Sequence, residues 1–424
     1  MRDDASRSVG RRSVLLALAA VAAGVATTGV ATPQRTRATR TAPVLLRGSP
    51  RLLTGAGWRK PGDAPGTSEL RWLARGRVPA TGTRWEPMVR YAMLDLRRLT
   101  NHGDGWSIAG AADHWGYTWP RDSAFFAVAF AATGHRDLAL RALAFLRDVQ
   151  RADGGFEARY RADGSVPDDR TAQTDGAGLV LWALGSVLGT VPDRDLQVVA
   201  APLRPLLDRA VAFVLAATDD GRALPAPSPD YWEVRESAVT LGTAAPLAVG
   251  LRSAASLYAR LGEDAAAAST AEASQRYDRV VHAAFGPGGY QRYTDRGGQD
   301  AAVCYLLPPF AATTRADVVR AWRRYQVDAR RPGGGLAPGV GWRRDGVSWT
   351  PEVALVALSA AAMGDDACAS DWLDWLDAQR TDWESLPEKV LADGSPAGPA
   401  PLGWTAANVV LAALHLTGTR RGVV

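Results

Sequence analysis

Along RDLALRALAFLRDVQ the apolar residues Ala139, Ala142, Leu143, Leu146 and Val149 recur at steps of three and four. That spacing lines one face of an α-helix. Gly134 before the stretch and Gly154 after it punctuate the helix. In TPEVALVALSAAAMG, Thr350 suits the N-cap, Pro351 the first helical turn and Gly364 the C-cap. In DWLDWL, residues Trp372, Trp375 and Leu376 fall on one face and read as core. The period recurs in roughly a dozen segments between Trp85 and Gly418. They begin near Trp85, Arg121, Arg136, Thr174, Leu203, Leu241, Glu263, Asp300, Thr314, Pro351, Ala367 and Thr405. Strand signals are short and weak, as in GGYQRYTD around Tyr290. A dozen helices in hairpin-like succession predict an all-α fold of two concentric rings, an (α/α)6 barrel. A generic helical array has the same periodicity, which alone does not separate the two.

The N-terminus has a different pattern. The twin arginines Arg11-Arg12 precede an apolar run from Ser13 to Ala31 that closes on Gly29-Val30-Ala31. Residues 1–31 therefore read as an export signal of the twin-arginine type, the alternative being an uncleaved membrane anchor. Residues 32–84 carry no clear period and several Gly and Pro, and are expected to form a linker and an irregular N-terminal arm. Residues 85–424 are expected to form the barrel.

Composition narrows the function classes. The 424 residues are 47% hydrophobic and 22% charged, with a formal net charge of +5. The excess is almost all arginine, since Lys60 and Lys389 are the only lysines. It forms no basic stripe, so no nucleic-acid partner is expected, and no protein partner is implied. Cys304, Cys368 and five scattered histidines make no metal-ligand spacing, so no metal or cofactor is expected. The cysteines fit either one disulfide or two separate buried thiols.

The interhelix loops concentrate unusual companions. HWGYTWPRDS brings Trp115, Tyr117 and Trp119 up to Arg121 and Asp122. TAQTDGAG holds Gln173 and Asp175. PSPDYWEVRE holds Asp230, Tyr231, Trp232, Glu233, Arg235 and Glu236. The late segment DWESLPEKVLADGSPAGPAPLGW holds Glu388 and Trp404. Indole faces stack on the C–H faces of a sugar ring, while Asp, Glu, Gln and Arg satisfy its hydroxyls. An arginine beside an aspartate grips two adjacent hydroxyls, one partner donating and the other accepting. Each feature has a plain structural reading: a helix cap for Asp175, a helix-end charge pair for Arg121-Asp122, core for Trp119. Four loops collecting rings and carboxylates favour one shared sugar pocket.

These segments resemble the family 15 glycoside hydrolases, which include glucoamylases, glucodextranases and some trehalases. The matching elements run in the family's order over residues 85–418: YTWPRDS, VQRADGGF, QTDGAG, DYWEVRE, WTPEVALVALSAA and LPEKVLADGSPAGPAPLGWTAA. The resemblance implies an (α/α)6 barrel and an inverting exo-hydrolase acting at the non-reducing end of α-1,4- or α-1,6-glucosides. It implies Glu233 as general acid and Glu388 as general base. It implies a substrate site of Trp119, Arg121, Asp122, Gln173, Asp175, Tyr231, Trp232, Arg235 and Trp404. A trehalase-type hydrolase and an inactive sugar-binding barrel are the alternatives. The acid needs a raised pKa, for which Trp232 could supply apolar walls and Glu236 repulsion, with Arg235 acting the other way. Val234 follows Glu233 where many fungal glucoamylases have a second glutamate. Residues 32–84 are too few for the β-sandwich that precedes many bacterial barrels.

Overall fold

The computed structural model describes residues 64–112 and 114–418. The export signal and most of the expected linker lie outside these residues. Thirteen α-helices lie among them: α1 Thr67–Leu73, α2 Glu86–Arg98, α3 Pro120–Ala132, α4 Arg136–Val149, α5 Asp175–Gly189, α6 Asp193–Ala200 and α7 Arg204–Ala217, then α8 Leu241–Arg260, α9 Asp264–Phe285, α10 Ala316–Asp328, α11 Thr350–Met363, α12 Asp366–Ala378 and α13 Gly403–Thr417. A short 3₁₀ helix, Ala301–Leu306, lies between α9 and α10.

Two kinds of helix alternate. α3, α5, α11 and α13 are buried on all sides along nearly their whole length, as expected of helices apolar all round. α2, α4, α7, α9, α10 and α12 bury one face. The buried set, with α8 and the 3₁₀ helix, closes an inner ring in the order α3, α5, α8, 3₁₀, α11, α13 and back to α3. The amphipathic set forms the outer ring. The fold is the (α/α)6 barrel that the helix succession predicts.

The ring depends on close backbone approach at one crossing. A Cβ placed on Gly178 of α5 would meet the Pro246 carbonyl oxygen of α8 at 2.2 Å. A Cβ on Gly250 of α8 would meet the Gly178 Cα at 2.7 Å. Only glycine lets these two helices touch at that depth.

Connections are unequal at the two mouths. Inner helices pass to outer ones through short turns, 133–135, 261–263 and 364–365. Outer helices return to inner ones through long loops, 99–119, 150–174, 218–240 and 379–402. All inner helices therefore start at the same mouth, and their first turns carry Arg121 and Asp122, Asp175, Glu352 and Trp404. Their unpaired N–H groups and positive dipole ends favour negative charge there. Three two-residue strands, β1 Ser348–Trp349, β2 Lys389–Val390 and β3 Pro396–Ala397, pair antiparallel in that order. Trp349 pairs with Lys389, which ties the Glu388 segment to the start of α11.

The structure departs from expectation in three places. The helix expected near Asp300 is only the six-residue 3₁₀ turn Ala301–Leu306. Asp300 caps it, accepting from the Ala302 N–H at 3.1 Å. A 3₁₀ helix rises about 2 Å per residue, so this element is much shorter than its α-helical neighbours. At the opposite mouth, where it falls short, a cavity of about 750 Å³ opens between Trp182, Arg252, Phe310, Met363 and His415. No candidate site residue lines it. Second, the span read as an irregular arm contains α1, whose Trp72 stacks on His135 with ring centroids 3.8 Å apart. Third, α6 fills the passage from α5 to α7, which the periodicity left without a helix. Both cysteines are free thiols, Cys304 buried and Cys368 half-buried.

Candidate active site

Arg121 is the centre of the site. It lies in the first turn of α3 and is 5% exposed. Its Nη1 donates to Gln173 Oε1 and to Asp175 Oδ2, each at 3.0 Å, and its Nη2 donates to Glu233 Oε1 at 3.0 Å. Its Nε lies 3.6 Å from Asp122 Oδ2. Three of the five guanidinium N–H groups are thus committed to protein, so Arg121 organises the carboxylates at least as much as it can hold a sugar. Burial pushes the Asp122 carboxyl up to about 6, against the pull of Arg121; negative charge from Glu233 and Glu388 adds to the rise. Burial raises Asp175 to about 6 as well, again against Arg121.

Glu233 arrives from the 218–240 loop in a left-handed backbone conformation, φ 54°, which is uncommon for a residue other than glycine. Its side chain is 27% exposed. Oε1 accepts from Arg121 and also from Gln173 Nε2 at 2.8 Å; Oε2 accepts from Arg170 Nη1 at 3.0 Å. The surroundings expected of an acid differ here. Trp232 turns its ring to the Arg292 guanidinium, 3.6 Å away, and to Trp342. Glu236 is drawn to Arg292 Nη2 at 2.6 Å and accepts from the Tyr293 hydroxyl at 2.6 Å. Neither supplies the apolar wall or the repulsion, because a buried arginine claims both. Arg235 is exposed to solvent, outside this hydrogen-bonded network.

Glu388 arrives from the 379–402 loop and is 7% exposed. The Trp115 indole N–H donates to its Oε1 at 3.2 Å, and Lys389 Nζ lies 3.1 Å from its Oε2. Burial raises its pKa, while Lys389 and Trp115 oppose that rise. Its backbone is fixed, since its carbonyl accepts from the Thr350 N–H at 3.0 Å and its N–H donates to the Pro399 carbonyl at 2.9 Å.

Aromatic rings surround this charge. Trp119, next to α3, packs edge-on against Tyr117 with centroids 6.2 Å apart. The Arg159 guanidinium lies over both rings, 4.2 Å from Tyr117 and 5.2 Å from Trp119. Trp404, in the first turn of α13, has its ring 5.6 Å from the Arg121 guanidinium and 6.0 Å from Tyr231. The Tyr231 hydroxyl is turned away and donates to the Pro338 carbonyl at 3.3 Å.

Three residues of this region had no reading in the sequence. Glu352, in the first turn of α11, is 2% exposed, and its Oε2 has no hydrogen-bond partner. Burial raises its pKa to about 8, and the charge of Glu388 adds to that. A lone glutamate in the otherwise apolar TPEVALVALSAA was the signal for it. Arg292, 1% exposed, gathers Asp230 at 2.9 Å, Asp300 at 2.9 Å and Glu236 behind the Glu233 loop. Arg170 sits in a polar loop that carries no distinguishing pattern. Among the described residues no group of His, Cys, Asp and Glu could hold a metal ion.

No family model matches the sequence. An uncharacterized glycosyl hydrolase of Methanocaldococcus jannaschii is 32% identical over 99 residues, 23% of this chain. The match spans only 16% of that protein's length. Among solved structures, a glycosidase superposes with a TM-score of 0.68 at 21% identity, covering 83% of this chain and 99% of its own. One of its variants was solved in complex with glucose. A bacterial glucoamylase complexed with acarbose gives 0.66 at 16% identity, covering 82% of this chain and 57% of its own. A glucoamylase from Saccharomycopsis fibuligera gives 0.61 at 14%, covering 82% and 95%. The likeness is one of fold, and the fold is the one that the sequence resemblance implies.

Proposed function

We propose that the protein is a glycoside hydrolase that releases glucose from the non-reducing end of α-glucosides, with inversion at the anomeric carbon. One observation carries the reading. Two glutamates from separate loops bear on the same buried Arg121–Asp122 pair, Glu233 through its ion pair with Arg121 and both through their charge on Asp122. The glycosidase and glucoamylase folds support it, as does the neighbour variant in complex with glucose.

Glycosidic cleavage passes through an oxocarbenium-like state, in which one carboxylic acid protonates the leaving oxygen and one carboxylate activates water on the other face of the ring. Glu233 is the acid in this reading and Glu388 the base. The ammonium of Lys389 and the indole N–H of Trp115 hold Glu388 ready to accept the water's proton. Asp122, with Arg121 beside it, receives hydroxyls of the terminal glucose, and the Trp119 and Trp404 rings wall it. Trp232 backs the Glu233 loop against Arg292, and Arg235 belongs to the solvent-exposed rim. The exported location expected from residues 1–31 goes with this reading.

The test is a product screen on maltose, isomaltose, trehalose and short dextrins, followed by NMR of the first anomer released. β-Glucose is expected first. Glu233→Gln and Glu388→Gln are each expected to cut turnover by about 10²-fold or more with unchanged melting. α-Glucose as first product would reject inversion. Cleavage of trehalose alone would make the enzyme a trehalase, and a wild-type protein inert on all of these sugars would leave a binding barrel.

A further inference from the structure

The hydrogen bonds on Glu233 raise a problem that the acid role must solve. To give a proton to a leaving oxygen, the carboxyl must present one of its oxygens to the substrate. Oε1 is locked from within by Arg121 and Gln173, both 5% exposed. Oε2 is the oxygen left for the substrate, and Arg170 covers it at 3.0 Å. Arg170 differs from the other two partners in being 42% exposed. It belongs to the 150–174 loop, at the mouth where the inner helices start. Its remaining attachment is loose: Nε lies 3.5 Å from Asp168 Oδ2. Asp168 is itself held by the buried Arg159, which rests on Tyr117. The loop is thus anchored at Arg159 and Asp168, while its arginine reaches Glu233 from a more exposed position.

We infer that Arg170 is a displaceable clamp on the acid and a specificity-determining residue of the leaving-group subsite. The leaving sugar enters from the solvent side of Glu233, the side Arg170 occupies. Its hydroxyls accept the guanidinium donors, Arg170 releases Oε2, and the freed oxygen faces the glycosidic oxygen. The donors are exchanged between acceptors rather than lost, so an oxygen-rich leaving group both binds and uncovers the acid. A leaving group without hydroxyls offers no such exchange.

This inference rests on the hydrolase reading. Its test compares Arg170→Ala and Arg170→Lys with wild type on a glucosyl disaccharide that the wild type cleaves and on α-glucosyl fluoride. Fluoride departs with little protonation and carries no hydroxyls. For Arg170→Ala, kcat/KM on the disaccharide is expected to fall by at least about tenfold more than on the fluoride, mainly through KM, as loss of one charge-assisted hydrogen bond requires. Arg170→Lys keeps the charge without the fork and should lie between. Equal losses on both substrates would make Arg170 a general support of the site and overturn the clamp, as would no loss on either. A wild-type protein that releases neither glucose nor fluoride would overturn the hydrolase reading itself.

Discussion

Replacing Arg292 by methionine tests what holds the Glu233 loop in place. The guanidinium is 1% exposed and bonds three carboxylates that are themselves almost wholly buried, Asp230 and Asp300 at 2.9 Å and Glu236 at 2.6 Å. Methionine fills much of the volume and keeps contact with Trp232, but supplies no charge. Each carboxylate keeps at least one neutral or backbone donor: the Thr240 hydroxyl and the Trp232 N–H for Asp230, the Ala302 N–H for Asp300 and the Tyr293 hydroxyl for Glu236. What is lost is the only cation among the described residues that bonds all three. Removing one partner from a buried ion cluster costs about 3–5 kcal/mol. At about 2–3 °C per kcal/mol for a large domain, the melting temperature should fall by about 6–15 °C at pH 8. Burial already raises Asp300 to about 6, although Arg292 lowers it, and without Arg292 it rises further. The deficit therefore changes between about 6 and the higher value in the variant: it narrows as the pH falls through that window and is smaller at pH 5 than at pH 8. Calorimetry of variant and wild type at pH 8 and pH 5 reads both effects. A drop under about 2 °C at pH 8, or a gap that is the same at both pH values, would refute the reasoning. In the variant that still folds at 25 °C, kcat should drop about 10–100-fold, since the loop carrying Glu233 has lost its backing.

Two further outcomes follow from buried positions. Glu352→Gln should raise melting more at pH 8.5 than at pH 5, because the folded-state pKa of about 8 lies above the ordinary 4.5; ionising the buried carboxyl costs stability that grows as pH rises through that window. An equal effect at both pH values would show that the folded and unfolded pKa values coincide, so that Glu352 is solvated or otherwise compensated. Gly178→Ala should destabilise by about 1–3 kcal/mol or more, since its Cβ would lie 2.2 Å from the Pro246 carbonyl oxygen. The gain in helix propensity, about 1 kcal/mol, is too small to offset it, and a urea midpoint at or above wild type would contradict the crossing.

Periodicity locates the helices well because the outer ring repeats an apolar stripe and the inner ring an apolar run of helical length. α4 lies between its two flanking glycines, and α11 ends on Gly364 as expected but starts one residue early, with Trp349 as N-cap and Thr350 as its first helical residue. Periodicity fails where length is set by neighbours. AAVCYL is apolar enough for a helix, but Pro308 and Pro309 follow just after its end and leave no room to continue it. The site was legible where side chains of opposite character sit within one loop, as in TWPRD and DYWEVRE. It was not legible where partners come from different loops. Nothing in DDRTAQ says that Arg170 meets Glu233, and nothing in GGYQRYTD says that Arg292 gathers Asp230, Glu236 and Asp300. The charge on Glu236 was visible, but its direction was not, because that depends on an arginine 56 positions further on.

The inner ring is completed by its last member. α13 packs against α2 and α3, and the Ala80 N–H reaches the Thr417 hydroxyl across 337 positions. A ribosome delivering this chain vectorially has made Arg121 and its carboxylates long before the segment that shuts the circle. Until α13 emerges, the earlier hairpins are an open ribbon with two greasy edges, and such edges recruit copies of themselves. A stop codon ahead of residue 403 is therefore expected to leave the apolar faces that α13 covers open to solvent.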